Sequence, residues 1–203
     1  MNAINTHRLS FYGIRVFSGA CRFNIFPADI GAYDMKNIIN YAIEKNEPFI
    51  NGAFNEIDSL ILSKLAYLNF DGFVSGLSDA ATAVDIEEIA EMDHTDALFH
   101  NTWDSRNNRR LFFALADSSR FRDMNVIFYV NKTDPETEKQ FSAVTFLLDD
   151  GSAYIAYRGT DSTFVGWKED FNMAFISPVP SQEEGVAYLN AVADRIPCPL
   201  KIG

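Results

Sequence analysis

Three observations predict an α/β fold in which helices come first and a mixed sheet follows. Before residue 124 apolar residues recur at helical spacing. From Met124 to Gly159 three apolar runs are broken by turn chemistry, which reads as antiparallel strands. After the third run come two helical segments and a short apolar stretch, "PLKIG", giving strand, helix and strand again. The 203 residues suffice for one domain with a sizeable core, and eighteen Phe predict a core rich in aromatics.

Residues 1–34 stand apart. Arg8, Arg15 and Arg22 against Asp29 and Asp34 give them +1, so −12 of the net −11 falls on the remainder. Their aromatics follow no helical period, and an extension is expected there, with the folded domain over 35–203. "DMKNIINYAIEKNEPF" predicts a short helix capped by Asp34, with Ile38, Ile39, Tyr41, Ala42 and Ile43 inside. "NEIDSLILSKLAYLNF" gives the best helix signal: Asn55 caps it, and Ile57, Leu60, Ile61, Leu65 and Leu68 form its apolar stripe. "FDGFVSGLSDAATAV" reads as loop. "DIEEIAEMDHTDALF" reads as one helix with Asp85, Glu87 and Glu88 in its first turn, and "NNRRLFFALADSS" as another.

Val126–Val130 is the first strand, followed by a polar loop "NKTDPETEK" in which Asp134-Pro135 favours a turn. Phe141–Leu148 is the second strand, and "DDG" signals a tight hairpin. Ala153–Tyr157 is apolar on both faces, so it is expected to lie centrally, covered on both sides. "GWKEDFNMAF" and "SQEEGVAYLNAVADRI" are helices, the latter opened by a Ser181–Glu184 capping box.

Composition excludes several functions. A net charge of −11 argues against a nucleic-acid surface, which needs clustered Lys and Arg. No apolar run reaches the length of a membrane span, and Arg8, Arg15 and Arg22 interrupt any secretory signal. Cys21 and Cys198 are no disulfide framework, so a reduced, cytoplasmic setting is expected. Phosphate-loop and dinucleotide glycine motifs are absent, and no cofactor or metal is expected. The two His and two Asp of "DHTDALFH" read as an exposed acidic helix end, with His94 and His100 on different faces. His7, Cys21 and Cys198 carry no feature of a catalytic group. Tyr154 and Tyr157 are expected as core or crevice lining. Nothing in the sequence fixes the oligomeric state.

The stretch "AYIAYRGTDS…GWKEDF" resembles the strand, turn and helix of class 3 (fungal-type) lipases, with their Arg-Gly-Ser/Thr and Trp-x-x-Asp. "FNEIDSLILSKLAYLNF" is similar to the opening of a bacterial, lipase-like family of unknown function known as Mbeg-like. Together the two resemblances cover residues 35–203. They imply an α/β-hydrolase fold and a Ser-His-Asp acyl hydrolase acting on an ester or lipid-like small molecule. Acyl transfer builds an oxyanion, which needs fixed donors at the carboxyl edge of the sheet. Gly159 would let the backbone turn sharply there, and Thr160 would offer its N–H and its hydroxyl. By resemblance Thr160 falls where those lipases keep their oxyanion residue; otherwise "RGTD" is a turn ending a strand. Arg158 and Asp170 are expected to form a structural ion pair holding that turn, with Trp167 as a packing anchor.

The nucleophile is missing from this picture. The nearest approach to G-x-S-x-G is "GLSDA" around Ser78, in a small-residue loop with no preceding strand. Members of the family run from a strand like "LKIG" straight into Gly-His-Ser-x-Gly-Gly. The chain is therefore expected to be the N-terminal half of a hydrolase, cut before its nucleophile and inactive alone. The rival expectation is a binding or scaffold domain of the same fold without catalysis.

Overall fold

The computed structural model describes residues 36–203 apart from 79, 137, 138, 161–163 and 176. Contacts divide the chain into Met1–Lys36 and Asn37–Gly203, and the expectation for residues 1–34 lies outside the described part. The first helix, α1 (Ile38–Glu44), is capped by Asn37, whose side chain accepts from the Ile39 and Asn40 N–H groups. Asp34, the cap expected from sequence, is not among the described residues. The second helix, α2 (Glu56–Leu65), starts at the predicted Asn55 cap.

The buried face of α2 corrects the predicted stripe. Ile57 and Leu60 are exposed, whereas Asp58, Ile61, Leu62 and Leu65 are buried. These four follow the i, i+3, i+4, i+7 pattern of a core-facing helix, headed by a charge. Asp58 is tolerable there because Arg120 meets it with two hydrogen bonds, Nε at 2.8 Å and Nη2 at 2.6 Å. The Asn55 N–H and the Tyr41 hydroxyl also donate to the same carboxylate. Arg120 spends its other donors on the carbonyls of Glu47 and Ala53 and lies over the Phe49 ring. Burial works against the guanidinium charge, and the bonds from Asp58 more than offset it, so Arg120 stays above its ordinary pKa.

The expected helix over 85–99 is broken. A two-residue strand β1 (Val84–Asp85) leads into α3 (Ile86–Glu91), and a separate 3₁₀ turn covers Thr95–Phe99. Thr95 causes the break, since its hydroxyl donates to the carbonyls of Ile89 and Met92 that a continuing helix would use. Helix α4 (Ser105–Ala116) follows as predicted.

Five strands form one sheet in the order β1-β2-β3-β4-β5, where β2 is Asn125–Asp134, β3 Lys139–Leu147, β4 Ala153–Tyr157 and β5 Leu200–Ile202. The pairs are antiparallel except β4–β5, which is parallel, so this is an α/β fold with a mixed sheet. Strand β2 runs four residues past the predicted end. Asn131–Asp134 pair with Lys139–Ser142 although their polar composition reads as loop. A bulge interrupts β2 between Ile127 and Val130, with Phe128 at a left-handed φ of 59°. The β3–β4 hairpin closes where "DDG" predicts it, with Leu147 opposite Ala153. Strand β4 has strands on both sides, as its apolar sequence demands.

The faces of the sheet carry two separate clusters. Val144, Phe146, Tyr154 and Ala156 belong to the larger one, built with α1 to α4. Phe141, Ala143 and Ile155 belong to the smaller, with Tyr188 and Val192. The latter two stand on α6 (Pro180–Arg195), which follows α5 (Phe164–Asn172). Helix α6 starts at Pro180, a residue preformed for the first helical position, and the Val179 N–H is taken by the Gln182 side chain. The predicted Ser181–Glu184 box does not form: Ser181 donates its N–H to Glu169, and Glu184 pairs with Lys132 and Lys139. Among the described residues, no helix is long and apolar enough to cross a membrane.

Candidate functional site

Where β4 ends, the chain runs on through Arg158, Gly159 and Thr160 toward α5. The Arg158 N–H still donates to the Ser142 carbonyl at 2.9 Å, which carries the β-ladder one residue further. After it the backbone leaves the sheet. Among the described residues, the N–H groups of Gly159 and Thr160 meet no acceptor. Both residues line a cavity of about 460 Å³ at the carboxyl end of β4, between α5 and α6. Phe141, Tyr157, Leu189 and Met173 give it apolar walls, and Thr160 and Asp170 stand on its polar side. Burial raises the Tyr157 phenol, which stays protonated at neutral pH and donates to the Gly185 carbonyl at 2.9 Å.

Helix α5 is held against this turn by features the sequence did not single out. Gly166 faces inward, and a β-carbon there would lie 2.8 Å from Thr160 Cγ2 and closer still to the Gln140 side chain. Glycine thus allows the helix to close on the turn. Glu169, 5% exposed, accepts the Gln140 N–H at 2.9 Å and the Ser181 N–H at 2.8 Å, tying α5 to both β3 and α6. Asp170, the next residue, accepts the Thr160 hydroxyl at 2.7 Å.

Several sequence-predicted roles change accordingly. The Arg158–Asp170 pair is not formed. Arg158 alternates onto the other face of the sheet and reaches across β3 to Asn131 Oδ1 at 3.2 Å. Trp167 is no packing anchor: it is 67% exposed, on the side of the helix turned away from the buried Gly166 and Glu169. The Gly159 φ lies outside the left-handed range; what that position needs is space, since a β-carbon would stand 3.0 Å from the Tyr67 hydroxyl. The Thr160 hydroxyl is spent on Asp170, and among the described residues the Gly159 and Thr160 N–H groups have no acceptor. In "WKED" either acid could have been structural by spacing; the inward glycine three residues earlier was the available signal for Glu169.

Among the described residues, no His lines the cavity. His94 stacks on Phe73 with ring centroids 4.6 Å apart, and His100 is exposed at the end of the 3₁₀ turn. Ser78 is exposed in the loop before β1, away from any strand-to-helix turn. Ser181 does line the cavity, and its described bond is the backbone one to Glu169. Cys198 is half-buried beside Pro199, and Tyr154 is core, its hydroxyl 2.8 Å from both Ser59 and Ser63.

No curated protein and no solved structure matches the chain. The family resemblance drawn for 35–203 is supported over a shorter span, which leaves out the segment 54–70. Residues 115–203, which contain β2 to β5, α5, α6 and every residue of the turn and cavity named above, match the family model described as Mbeg1-like.

Proposed function

We propose that the cavity is the substrate side of a lipase- or esterase-like acyl hydrolase. Gly159 and Thr160 would donate their N–H groups to the carbonyl oxygen of an ester or lipid-like small molecule. The observation that carries this is that Gly159 and Thr160, whose N–H groups meet no acceptor among the described residues, line a largely apolar cavity. A developing oxyanion requires fixed donors close together, and these two are adjacent in the turn. The apolar walls would take the acyl chain, and Asp170 would fix the turn through the Thr160 hydroxyl. A nucleophile and its base would have to be brought to the cavity from beyond the described residues that line it.

A second reading is favoured by that same gap: a domain that binds such a ligand and does no chemistry. Titration of ¹⁵N-labelled protein with a short-chain ester tests the shared part. The Gly159 and Thr160 amides and the Tyr157 ring should shift together and saturate; shifts elsewhere with these unmoved would defeat both readings. Hydrolysis of a p-nitrophenyl ester separates them. This chain should stay at background, and turnover abolished by a serine-directed phosphonate would reveal a nucleophile that the described cavity lacks. In a polypeptide that does turn over, Thr160→Val should slow the reaction through loosening of the turn. Removal of one oxyanion donor by other means would cost roughly a hundred- to thousandfold.

A further inference from the structure

Two acids border the cavity, Glu169 and Asp170, and among the described residues no Lys or Arg forms an ion pair with either. Glu169 is buried, and its two oxygens are taken by the backbone N–H groups of Gln140 and Ser181. Asp170 is exposed and accepts the Thr160 hydroxyl. These donors are all uncharged. They satisfy hydrogen bonds and leave the negative charge of the lining unbalanced.

The neighbouring cations are committed elsewhere. Glu184 precedes Gly185 of the cavity wall by one residue, and it pairs with both Lys132 and Lys139. Lys139 adjoins Gln140, whose N–H Glu169 accepts, yet its ammonium goes to Glu184. Arg158 also borders the cavity, but its guanidinium reaches away to Asn131 Oδ1 at 3.2 Å. The rest of the wall is apolar, with Phe141, Met173 and Leu189, and burial there raises the Tyr157 phenol. A charge entering such a space gives up much of its water, and its interaction with nearby carboxylates is weakly screened. The chain as a whole adds a net charge of −11 of the same sign.

We infer that the cavity selects its ligand by charge, taking an uncharged acyl compound and turning away the free carboxylate of the same chain, because Glu169 and Asp170 line it without cations of their own. The inference rests on the reading of the cavity as an ester site and adds a specificity to it. Asp170 and Glu169 act here as specificity residues, and they form no bond to the reacting carbonyl.

Three small ligands test it on ¹⁵N-labelled protein at neutral pH: methyl butyrate, butyrate and butylammonium. Kd values are read from the saturating shifts of the Gly159 and Thr160 amides. Butyrate should bind at least about tenfold more weakly than methyl butyrate, whereas butylammonium should bind more tightly than butyrate. The cation is the control for dryness, since an apolar cavity without electrostatic preference would reject both ions alike. Asp170→Asn removes a charge and keeps an acceptor for the Thr160 hydroxyl, so it should narrow the gap between the two ions by roughly tenfold. Butyrate binding within twofold of the ester, equal rejection of both ions, or a gap unchanged by Asp170→Asn would each overturn the charge selection while leaving the ester site in place. No saturating shift with any of the three would overturn the charge selection and the ester site together.

Discussion

On one face of the sheet Phe146, Tyr154 and Ala156 pack in a continuous core, close to a buried Asp58–Arg120 pair whose carboxylate and guanidinium are both fully engaged. On the other face Phe141, Tyr157 and Leu189 stand around a cavity of about 460 Å³, and α5 presents Trp167 and Phe171 to solvent. Both regions contain an acid in a position that helical spacing alone would leave ambiguous, Asp58 in α2 and Glu169 in α5. In the first region the acid closes a core. In the second it ties α5 to β3 and to the start of α6, beside the cavity between those two helices. The difference teaches that a buried helical acid can be satisfied by a guanidinium inside a core or by backbone N–H groups at the edge of a cavity, depending on what lies across from it.

Removing the first device should break the comparison most severely. Asp58→Ala leaves the Arg120 charge buried and unpaired, and should cost about 3–5 kcal/mol in urea unfolding. Asp58→Leu combined with Arg120→Met should recover most of that, because apolar residues of similar volume commonly replace a buried pair. A double variant as unstable as the single one would show that the carbonyls of Glu47 and Ala53 need the guanidinium in its own right.

Glu169→Gln attacks the second device. An amide keeps one acceptor oxygen where two backbone N–H groups now find carboxylate oxygens, so about 1–3 kcal/mol should be lost. Amide exchange in α5 should quicken before that of β4. Trp167→Ala, by contrast, should change stability by less than about 0.5 kcal/mol. If Trp167→Ala proves the more damaging of the two, the outward face of α5 is covered and Glu169 is not what holds the helix.

Gly185 sharpens the contrast from inside the cavity. A β-carbon there would make ordinary contacts of 3.7 and 3.8 Å with Phe141 and Tyr157. Gly185→Ala should therefore stabilise α6 by about 0.5–1 kcal/mol, as it does in a helix interior. Gly185→Leu should fold but abolish the ester-induced shifts at Gly159 and Thr160.

The smallest effect should come from pH. Hydrogen bonding to Lys132, the largest cause, and then to Lys139 holds the Glu184 carboxyl below its ordinary value against some desolvation. A depressed folded pKa means stability that is present above the unfolded Glu value and lost as pH falls through the folded one. Glu184→Gln should remove that part of the acid dependence, at under about 1 kcal/mol for a largely solvated pair. An unchanged acid limb of the stability curve would show that the pair contributes nothing.

What the sequence determined by itself was local. The Asn55 cap, the "DDG" hairpin and the doubly apolar β4 follow from short-range sterics and periodicity, and each appears where expected. The "RGT" turn was legible too, as the place where a buried strand meets a polar stretch. Only the tertiary structure decided which way the charges point. Asp58 and Glu169 look like any helical acid until a partner arrives from residues 62 or 12 to 29 positions away. Arg158 could not be assigned to Asp170 or Asn131 without knowing which sheet face it takes, and alternation along β4 sent it to Asn131. The bulge that buries Tyr129 depends on the register of β2 against β3. Local propensity is set by neighbours in sequence, whereas burial of a polar group is settled by the group that satisfies it.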